Sequence, residues 1–177
     1  MTPPSAPAVS RLRLEKVTPD NVLAACRLTV RPEQERFVAP VARSLAEAYA
    51  QPDVAWPRLV FDGERLVGFV MAFFDVRFHP DDPDDRPRSG LWRLAVAAGE
   101  QGRGYGRFAV GAVCEEVRRR GGSRVTVSWV PGEHGPEPFY RALGFRPTGE
   151  MDEDEVVAEL ELNPQPGLDL EPEPPRP

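Results

Sequence analysis

Apolar residues follow two spacings along the chain, and each spacing predicts one type of secondary structure. Apolar side chains at every second position predict a strand over 11–17 and two strands within 58–76, which meet at Asp62-Gly63, a pair typical of hairpin turns. Apolar side chains three or four positions apart predict a helix from about Gly104 to Arg120, ended by Gly121-Gly122. The two spacings together indicate a domain with both helices and strands.

The remaining segments complete an alternating order of elements. Thr18 is placed to cap a helix that has Pro19 at its first position and continues over 20–30. The other predicted features are a helix over 42–50, a polar loop over 77–90, strands over 91–96 and 124–130, a short helix over 137–143 and a strand over 156–162. The order β-α-α-β-β-β-α-β-α-β predicts a single-domain α/β fold with a mixed sheet, antiparallel early and joined by crossover helices later.

Proline marks the edges of this domain. The 177-residue chain has 21 prolines, and segments 1–9 and 163–177 are rich in them while lacking apolar periodicity. We therefore predict that both segments are disordered and that the folded domain spans 10–162. The N-terminus has neither a basic start nor an apolar stretch, so no secretory signal is expected, and no apolar run is long enough to span a membrane.

Charge and cysteine content narrow the classes of function. The formal net charge of −6 disfavours nucleic acid as a partner and is compatible with a cationic ligand. Cys26 and Cys114 lie far apart in predicted helices, so a disulfide framework or a Cys-rich metal site is not expected. We expect both cysteines to be small apolar core residues, and the pattern fits a protein of the reducing cytoplasm.

A glycine-rich turn separates the predicted strand 91–96 from the long helix. Gly102, Gly104 and Gly106 alternate with larger residues there, and the full turn reads Gln101, Gly102, Arg103, Gly104, Tyr105, Gly106, Arg107. The first N–H groups of a helix have no partner inside it, so a helix that begins in such a turn presents several of them to a ligand. The flanking arginines add positive charge. The turn is therefore a candidate site for a phosphate group.

Several phosphate-binding motifs can be compared with this turn. A Walker loop requires Gly-Lys-Ser/Thr, which is absent. A dinucleotide fingerprint fits from Gly104 through Gly106 and Ala109, but that motif belongs directly after the first strand of its domain. A tight turn without any ligand is the third alternative.

One further motif matches the glycine-rich turn better than these alternatives do. Gln101-x-x-Gly104-x-Gly106 after a strand resembles the pyrophosphate-binding turn of the GNAT superfamily of N-acetyltransferases. The segment EPFYRALGFRPTGE resembles the second signature of that family, with Tyr140 on a short helix before a Gly144-Phe145 turn. In the N-terminal half, VRPEQERFVAPVARSLAEAY and LVGFVMAF resemble the spermine/spermidine acetyltransferase branch. The resemblance covers about residues 11–162 and implies a sheet that is splayed where the cofactor binds.

The resemblance also implies roles for particular residues. It places the pyrophosphate of acetyl-CoA on the N–H groups of 102–107 and the pantetheine arm along Leu94, Ala95 and Val96, in the manner of an added strand. A main-chain N–H near Val96 would polarise the thioester carbonyl. Tyr140 would donate a proton to the departing CoA thiolate, and the alternative is that this side chain only packs against the core.

The acceptor side departs from the family pattern. Where the polyamine branch has a glutamate that removes a proton from the amine, this chain has Trp92, so the general base is open. Where relatives commonly have an asparagine that contacts the cofactor, it has Glu133. The next residue, His134, could serve as a base, and the alternative is a solvated loop histidine. Glu33, Glu35 and Asp75 are candidates for binding a cationic amine, although each can equally be a solvated surface carboxylate.

The expected function is direct transfer of an acetyl group from acetyl-CoA to a small primary amine, with a polyamine as one candidate. The alternatives are another amine, such as an antibiotic, an amino acid or a protein N-terminus, and a non-catalytic sensor that binds acyl-CoA. No metal, nucleic acid or membrane partner is expected. A homodimer is one assembly that the sequence allows.

Overall fold

Residues 12–162 are described by the computed structural model, and they form one α/β domain around a seven-stranded sheet. The strands are β1 (Leu12–Glu15), β2 (Ala55–Asp62), β3 (Arg65–Val76), β4 (Arg88–Val96), β5 (Arg124–Trp129), β6 (Arg146–Asp152) and β7 (Glu155–Glu161). The helices are α1 (Val22–Cys26), α2 (Val41–Ala50), α3 (Tyr105–Arg119) and α4 (Glu137–Ala142). Two 3₁₀ helices span Pro32–Phe37 and Ala98–Glu100.

The sheet is mixed, as the sequence predicts. Its strand order is β1-β2-β3-β4-β5-β7-β6, in which β4 and β5 run parallel and the other neighbours run antiparallel. The parallel pair follows from the crossover through α3, because strands joined by a helix return in the same direction. The predicted α/β fold is therefore confirmed.

A hydrophobic core lies on each face of the sheet. The larger core buries one face of α3, through Ala109, Val113 and Val117, together with Val125 and Phe145. The smaller core packs α1 and α2 against the opposite face and includes Ala25, Val41, Leu59, Phe69 and Met71. Strand β3 is buried on both faces from Val67 to Phe74, which explains why this stretch is almost continuously apolar.

The parallel strands β4 and β5 are in register over only a short distance. Their aligned pairs are Gly90 with Thr126 and Leu91 with Val127. At the next residue, Trp92, the register of β4 against β3 shifts, which is typical of a β-bulge. Beyond this point β4 and β5 have no further register pairs, and an opening lies between them. The expectation of a splayed sheet is confirmed.

The close approach of the two strands depends on glycine. A Cβ atom at Gly90 would lie 1.9 Å from the carbonyl oxygen of Thr126, a distance that no real side chain tolerates. A side chain at this position would push β4 and β5 apart before the splay begins. Gly90 therefore allows β4 and β5 to pair closely at one end, and the opening between the two strands begins beyond this pair.

Some predicted boundaries were wrong. Strand β6 was missed because RPTGEMD contains proline and glycine and shows no apolar alternation; it is an edge strand that pairs with β7 alone. Helix α1 is shorter than predicted and starts after Asn21, whose side chain accepts a hydrogen bond from the Thr18 N–H at 2.8 Å. Thr18 is therefore not its cap. Strand β4 begins at Arg88, inside the segment predicted as a polar loop.

Two further points concern the cysteines and the chain ends. Cys114 is buried in α3, which raises the pKa of its thiol, as expected for a core residue. Cys26 is exposed at the end of α1, so its assignment to the core was wrong.

The predicted disordered segments 1–9 and 163–177 lie outside the described residues. Within 12–162, no helix has the length and apolar character needed to cross a membrane.

Candidate active site

The glycine-rich turn opens toward solvent at the N-terminus of α3. Gly102 and Gly104 have φ angles of 80° and 86°, the left-handed region that glycine enters at least cost. Gly104 is the N-cap of α3, no side chain caps the helix, and its first internal bond runs from the Phe108 N–H to the Gly104 carbonyl at 3.0 Å. A Cβ at either glycine would meet no atom within 4 Å. Space and uncapped N–H groups therefore suit the turn to a phosphate.

Gly106 has a different role from its two neighbours. A Cβ at this position would lie 3.1 Å from the ring of Phe139 on α4. The third glycine therefore allows the start of α3 to pack against α4, and this brings the turn close to the helix that carries Tyr140.

The two arginines of the turn lie in different environments. Arg103 forms an ion pair with Glu100 at 3.1 Å, and Arg65 of β3 contacts the same carboxylate at 3.0 Å. Arg107 lies on the wall of the large cleft described below, whereas Arg103 does not. Of the two arginines, Arg107 is therefore better placed to contact a ligand in that cleft.

Tyr105 anchors the start of α3 to the β2–β3 hairpin. Its hydroxyl donates a hydrogen bond of 2.6 Å to Asp62, and the side chain is buried. This bond lowers the pKa of Asp62 and raises that of Tyr105, because it is strongest when the carboxylate is charged and the phenol is neutral. Only the backbone of Tyr105 is left to contribute to the turn.

The strand before the turn exposes part of its backbone. The Ala97 N–H donates to the Val67 carbonyl at 2.9 Å, so the alternate residues Val96 and Leu94 direct their backbone groups toward the splayed side. The side-chain amide of Gln101 donates to the Val96 carbonyl at 3.1 Å and to Gln34 at 2.6 Å. Gln101 thus links the strand end to the Pro32–Phe37 helix, and Ala95 is buried in the smaller core.

A cleft of about 1130 Å³ joins the turn to the splay. Its wall includes the open edge of β4, the end of β5, the turn itself, helix α4 and the 3₁₀ helix Pro32–Phe37. Arg36 of this 3₁₀ helix donates to the carbonyl of Glu133 at 2.8 Å, which connects the helix to the loop between β5 and α4. The cleft is large enough for a cofactor and a second substrate.

Tyr140 lies deep in this cleft. Its ring stacks on Trp129 with centroids 5.6 Å apart and meets Phe139 and Phe145 edge-on. The side chain is 6% exposed, and burial, assisted by the negative charge of Glu155, strongly raises the pKa of its hydroxyl. Phe139 and Tyr140 both line the cleft, and Tyr140 is the more buried of the two.

The candidate amine-binding carboxylates are not brought together. Glu35 lines the cleft and is exposed, whereas Glu33 and Asp75 are exposed and lie outside the cleft wall. Glu33 and Glu35 belong to the 3₁₀ helix Pro32–Phe37. Asp75 lies in β3 with a φ angle of 56°.

The residues that depart from the family pattern lie around the cleft. Trp92 lines it and packs against the smaller core. His134 also lines it, from an exposed position with a φ of 64°, while the exposed Glu133 does not. Within residues 12–162, no three His, Cys, Asp or Glu side chains cluster in a way that would hold a metal ion.

Sequence reasoning missed several polar residues of the cleft, among them Arg93, Ser128 and Glu155. Arg93 forms an ion pair with Glu47 of α2 at 3.1 Å, and burial lowers the pKa of its guanidinium. Ser128 donates a hydrogen bond to Glu155. Each of these polar residues lies within or beside a mostly apolar strand. A polar residue in such a strand is a signal from which the sequence could have suggested a functional role.

Solved structures of other proteins share this fold. An acetyltransferase from Thermus thermophilus superimposes with a TM-score of 0.65 at 21% identity, over 85% of this chain and 97% of that one. A Bacillus subtilis acetyltransferase in complex with CoA gives a TM-score of 0.59 at 15% identity, over 87% and 99% of the two chains. The ribosomal-protein-S18-alanine N-acetyltransferase of Escherichia coli gives 0.60 at 18% identity, over 90% and 98%. No curated protein sequence matches the chain.

The family assignment comes from the sequence model of the acetyltransferase (GNAT) family, which matches residues 18–145. The chain belongs to this family and is an acetyltransferase that uses acetyl-CoA as its co-substrate. The superfamily assignment made from the glycine turn and Tyr140 is confirmed.

Proposed function

We propose that the enzyme transfers the acetyl group directly to a primary amine and that Tyr140 donates a proton to the departing CoA thiolate. The observation that carries this proposal is the position of Tyr140, a buried phenol on the cleft wall beside the splay of β4 and β5. A phenol is protonated at neutral pH, as a proton donor requires, and burial does not change this because it raises the pKa of Tyr140 further.

We further propose how the chain holds its co-substrate. The uncapped N–H groups of 102–107 would bind the pyrophosphate, with Arg107 adding positive charge from the cleft wall. The open backbone edge at Leu94 and Val96 would pair with the pantetheine arm, and a main-chain N–H near Val96 would polarise the thioester carbonyl. Bound acetyl-CoA supplies an activated acyl group. The amide of Gln101 already donates to the Val96 carbonyl, so the Val96 N–H is the group of this residue that is left for the co-substrate.

The identity of the acceptor amine is less closely defined than that of the co-substrate. A polyamine is favoured by the N-terminal resemblance, and Glu35 is the carboxylate of the three original candidates that lines the cleft. An amine that also bears an acidic group, such as an amino acid, is favoured by a different observation. Arg43 and Arg93 both contact Glu47 beside the cleft, and the buried Nε of Arg93 has no hydrogen-bond partner within the described residues.

A panel of amines tests this function. Polyamines, amino acids, peptides with free N-termini and aminoglycosides would each be mixed with acetyl-CoA and the full chain, and the release of free thiol would be measured. We expect turnover with at least one primary amine. An enzyme that binds acetyl-CoA but turns over none of these acceptors would instead be an acyl-CoA sensor.

Tyr140→Phe tests the catalytic assignment. The change removes the hydroxyl but keeps the ring that stacks on Trp129. We expect kcat to fall on the order of a hundredfold to ten-thousandfold, the usual contribution of a positioned proton donor. The midpoint of thermal unfolding and the affinity for acetyl-CoA should stay close to those of the parent. A variant that is less stable but turns over normally would show that Tyr140 is structural.

Gly104→Ala tests the phosphate-binding turn, and Gly121→Ala is its matched control. Both glycines have similar φ angles, 86° and 83°, and a Cβ at either would meet no atom within 4 Å. Each change should therefore cost about 1–2 kcal/mol of backbone strain. A saturating concentration of acetyl-CoA, about a hundred times Kd, should raise the stability of the parent and of Gly121→Ala by about 2.7 kcal/mol.

The stabilisation of Gly104→Ala should be clearly smaller, because its methyl group occupies the space that the phosphates need. Thermal unfolding with and without acetyl-CoA measures both effects. Equal stabilisation of the two variants would move the pyrophosphate away from this turn.

A further inference from the structure

A general base is needed because an amine arrives at the enzyme mostly as an ammonium ion, which cannot attack a thioester. The position at which the polyamine branch has a glutamate is Trp92, which has no group that could accept the proton. If the enzyme removes the proton with a side chain, that side chain must come from another element of the cleft.

Glu155 is a carboxylate on the cleft wall that belongs to neither motif. It is the first residue of β7, directly after the turn that joins β6 to β7, and it is half-buried. Ser128, near the end of β5, donates a hydrogen bond to its carboxylate. This bond fixes the side chain at the point where β5 has separated from β4.

The other carboxylates of the cleft are less suitable. Glu35 and Glu153 line it from exposed positions, and within residues 12–162 no hydrogen bond holds either carboxylate in place. Asp152 is half-buried at the end of β6. Glu155 differs from them because a neighbouring strand orients it.

Glu155 and Tyr140 lie on opposite sides of the splay. Trp129 directs its ring toward Tyr140 and the larger core, and Ser128, one residue earlier in the strand, points to the other face, where it meets Glu155. The two groups are nevertheless close enough for the charge of Glu155 to contribute to the raised pKa of Tyr140. A thioester between β4 and β5 would thus have the phenol on one side and the carboxylate on the other.

We propose that Glu155 is the general base of the acetyl transfer and receives the proton of the acceptor ammonium. This inference rests on the proposed function. One proton passes from the ammonium to the carboxylate of Glu155, and the neutral nitrogen then forms a bond to the acetyl carbon. As the carbon–sulfur bond breaks, Tyr140 gives its proton to the sulfur, and a second proton lost by the nitrogen restores the phenol. Glu155 finally releases its proton to water.

Charged groups of several elements lie around Glu155. Burial lowers the pKa of the Arg93 guanidinium on β4, and the negative charges of Glu47 and Glu155 oppose this shift. Asp152, at the end of β6, and Glu153, in the turn before β7, line the same cleft. Tyr140 of α4 carries no charge at neutral pH. The carboxylate form of Glu155 is the one that can accept a proton from the amine.

Glu155→Gln is the decisive variant, because the amide keeps the size of the side chain and can still accept the Ser128 hydrogen bond. With the best amine of the panel, kcat/KM should fall on the order of a hundredfold at neutral pH, and this deficit should shrink as the pH approaches the pKa of the amine, where the acceptor is already neutral. Stabilisation by acetyl-CoA should match that of the parent. Glu159→Gln is the control; this residue lies on the same strand, contacts Arg124 and should leave activity unchanged.

An acceptor that is already neutral at the assay pH separates proton removal from other roles. With an alkoxyamine, whose nitrogen is a much weaker base than that of an alkylamine, the deficit of Glu155→Gln should nearly disappear. An equal deficit with both acceptors would overturn the assignment as base. So would a variant that keeps the kcat/KM and the pH profile of the parent. A parent that turns over no amine at all would overturn the proposed function itself.

Discussion

At the scale of single residues, Tyr140 places a polar hydroxyl in an almost wholly aromatic environment. Trp129, Phe139 and Phe145 surround its ring, and water has little access to it. Both burial and the nearby negative charge of Glu155 favour the neutral phenol over the phenolate. The Tyr140 phenol therefore stays protonated even at the alkaline pH at which the acceptor amine becomes neutral.

The raised pKa of Tyr140 predicts a loss of stability in alkali. Below the unfolded-state pKa of about 10 the phenol is neutral in both states. Above it the unfolded chain releases the proton while the folded protein retains it, so the free energy of unfolding falls by at most about 1.4 kcal/mol for each pH unit until the folded pKa is reached. Tyr140→Phe should show a smaller loss than the parent between about pH 9 and about pH 11.

Chemical unfolding at a series of pH values measures this difference. Tyr49→Phe provides the control, because Tyr49 is 90% exposed and its replacement should leave the alkaline slope of the parent unchanged. Parallel slopes for Tyr140→Phe and the parent would mean that the folded protein does not hold the phenol neutral.

At the scale of elements, the close pairing of β4 and β5 precedes the opening in which the reaction takes place. The pairs at Gly90 and Leu91 hold the strands together, and the register shift at Trp92 marks where they begin to part. Helix α3 crosses from the end of β4 to the start of β5, so the glycine turn lies at the open end of the splay. The position of the cleft is therefore a consequence of one parallel pair in an otherwise antiparallel sheet.

Gly90→Ala should be severely destabilising. Its methyl group would lie 1.9 Å from the Thr126 carbonyl oxygen, a backbone atom that can move only if a strand moves. We expect a loss of about 3 kcal/mol or more in the free energy of unfolding. Gly111→Ala is the matched control; it lies on the exposed side of α3 with no atom within 4 Å of its Cβ, and it should stabilise the protein by about 0.5–1 kcal/mol.

Urea unfolding of the two variants measures both changes. If Gly90→Ala were as stable as Gly111→Ala, the contact between β4 and β5 would not be as close as described, and the closed end of the splay would have to be reconsidered.

At the scale of the whole molecule, residues 12–162 form both cores and a continuous cleft wall. The two cores share the sheet, and the cleft opens between its strands, so binding in the cleft and global stability are coupled. We propose that the folded domain is 10–162, and that the exposed Cys26 fits a reducing cytoplasm.

A chain limited to residues 10–162 should unfold at the same temperature as the full chain and respond equally to acetyl-CoA, because it keeps every helix and strand that the structure describes. Thermal unfolding of both chains, with and without acetyl-CoA, measures this. A lower midpoint for the shorter chain would show that one of the proline-rich segments contributes to the folded domain.

Local sequence patterns determined much of this protein. The apolar spacing of α3 placed that helix to within a residue, because one side of it packs against the sheet over its whole length. Asp62-Gly63 gave the β2–β3 hairpin, and Gly102 and Gly104 indicated a turn that only positive φ angles allow. Tyr140 and the glycine turn together were enough to predict the family. Such features depend on neighbours a few positions apart.

The tertiary structure decided what depends on distant partners. Strand β6 has no apolar pattern of its own and forms because β7 offers an edge to pair with. Ser128 and Glu155 are 27 positions apart, and only the antiparallel pairing of β5 with β7 brings them together. From the sequence, Glu33 and Asp75 were as suitable as Glu35 for binding an amine. Of these three carboxylates, only Glu35 lies on the cleft wall. Their residue type is nearly the same, and their positions in the folded chain determine which one can face a ligand.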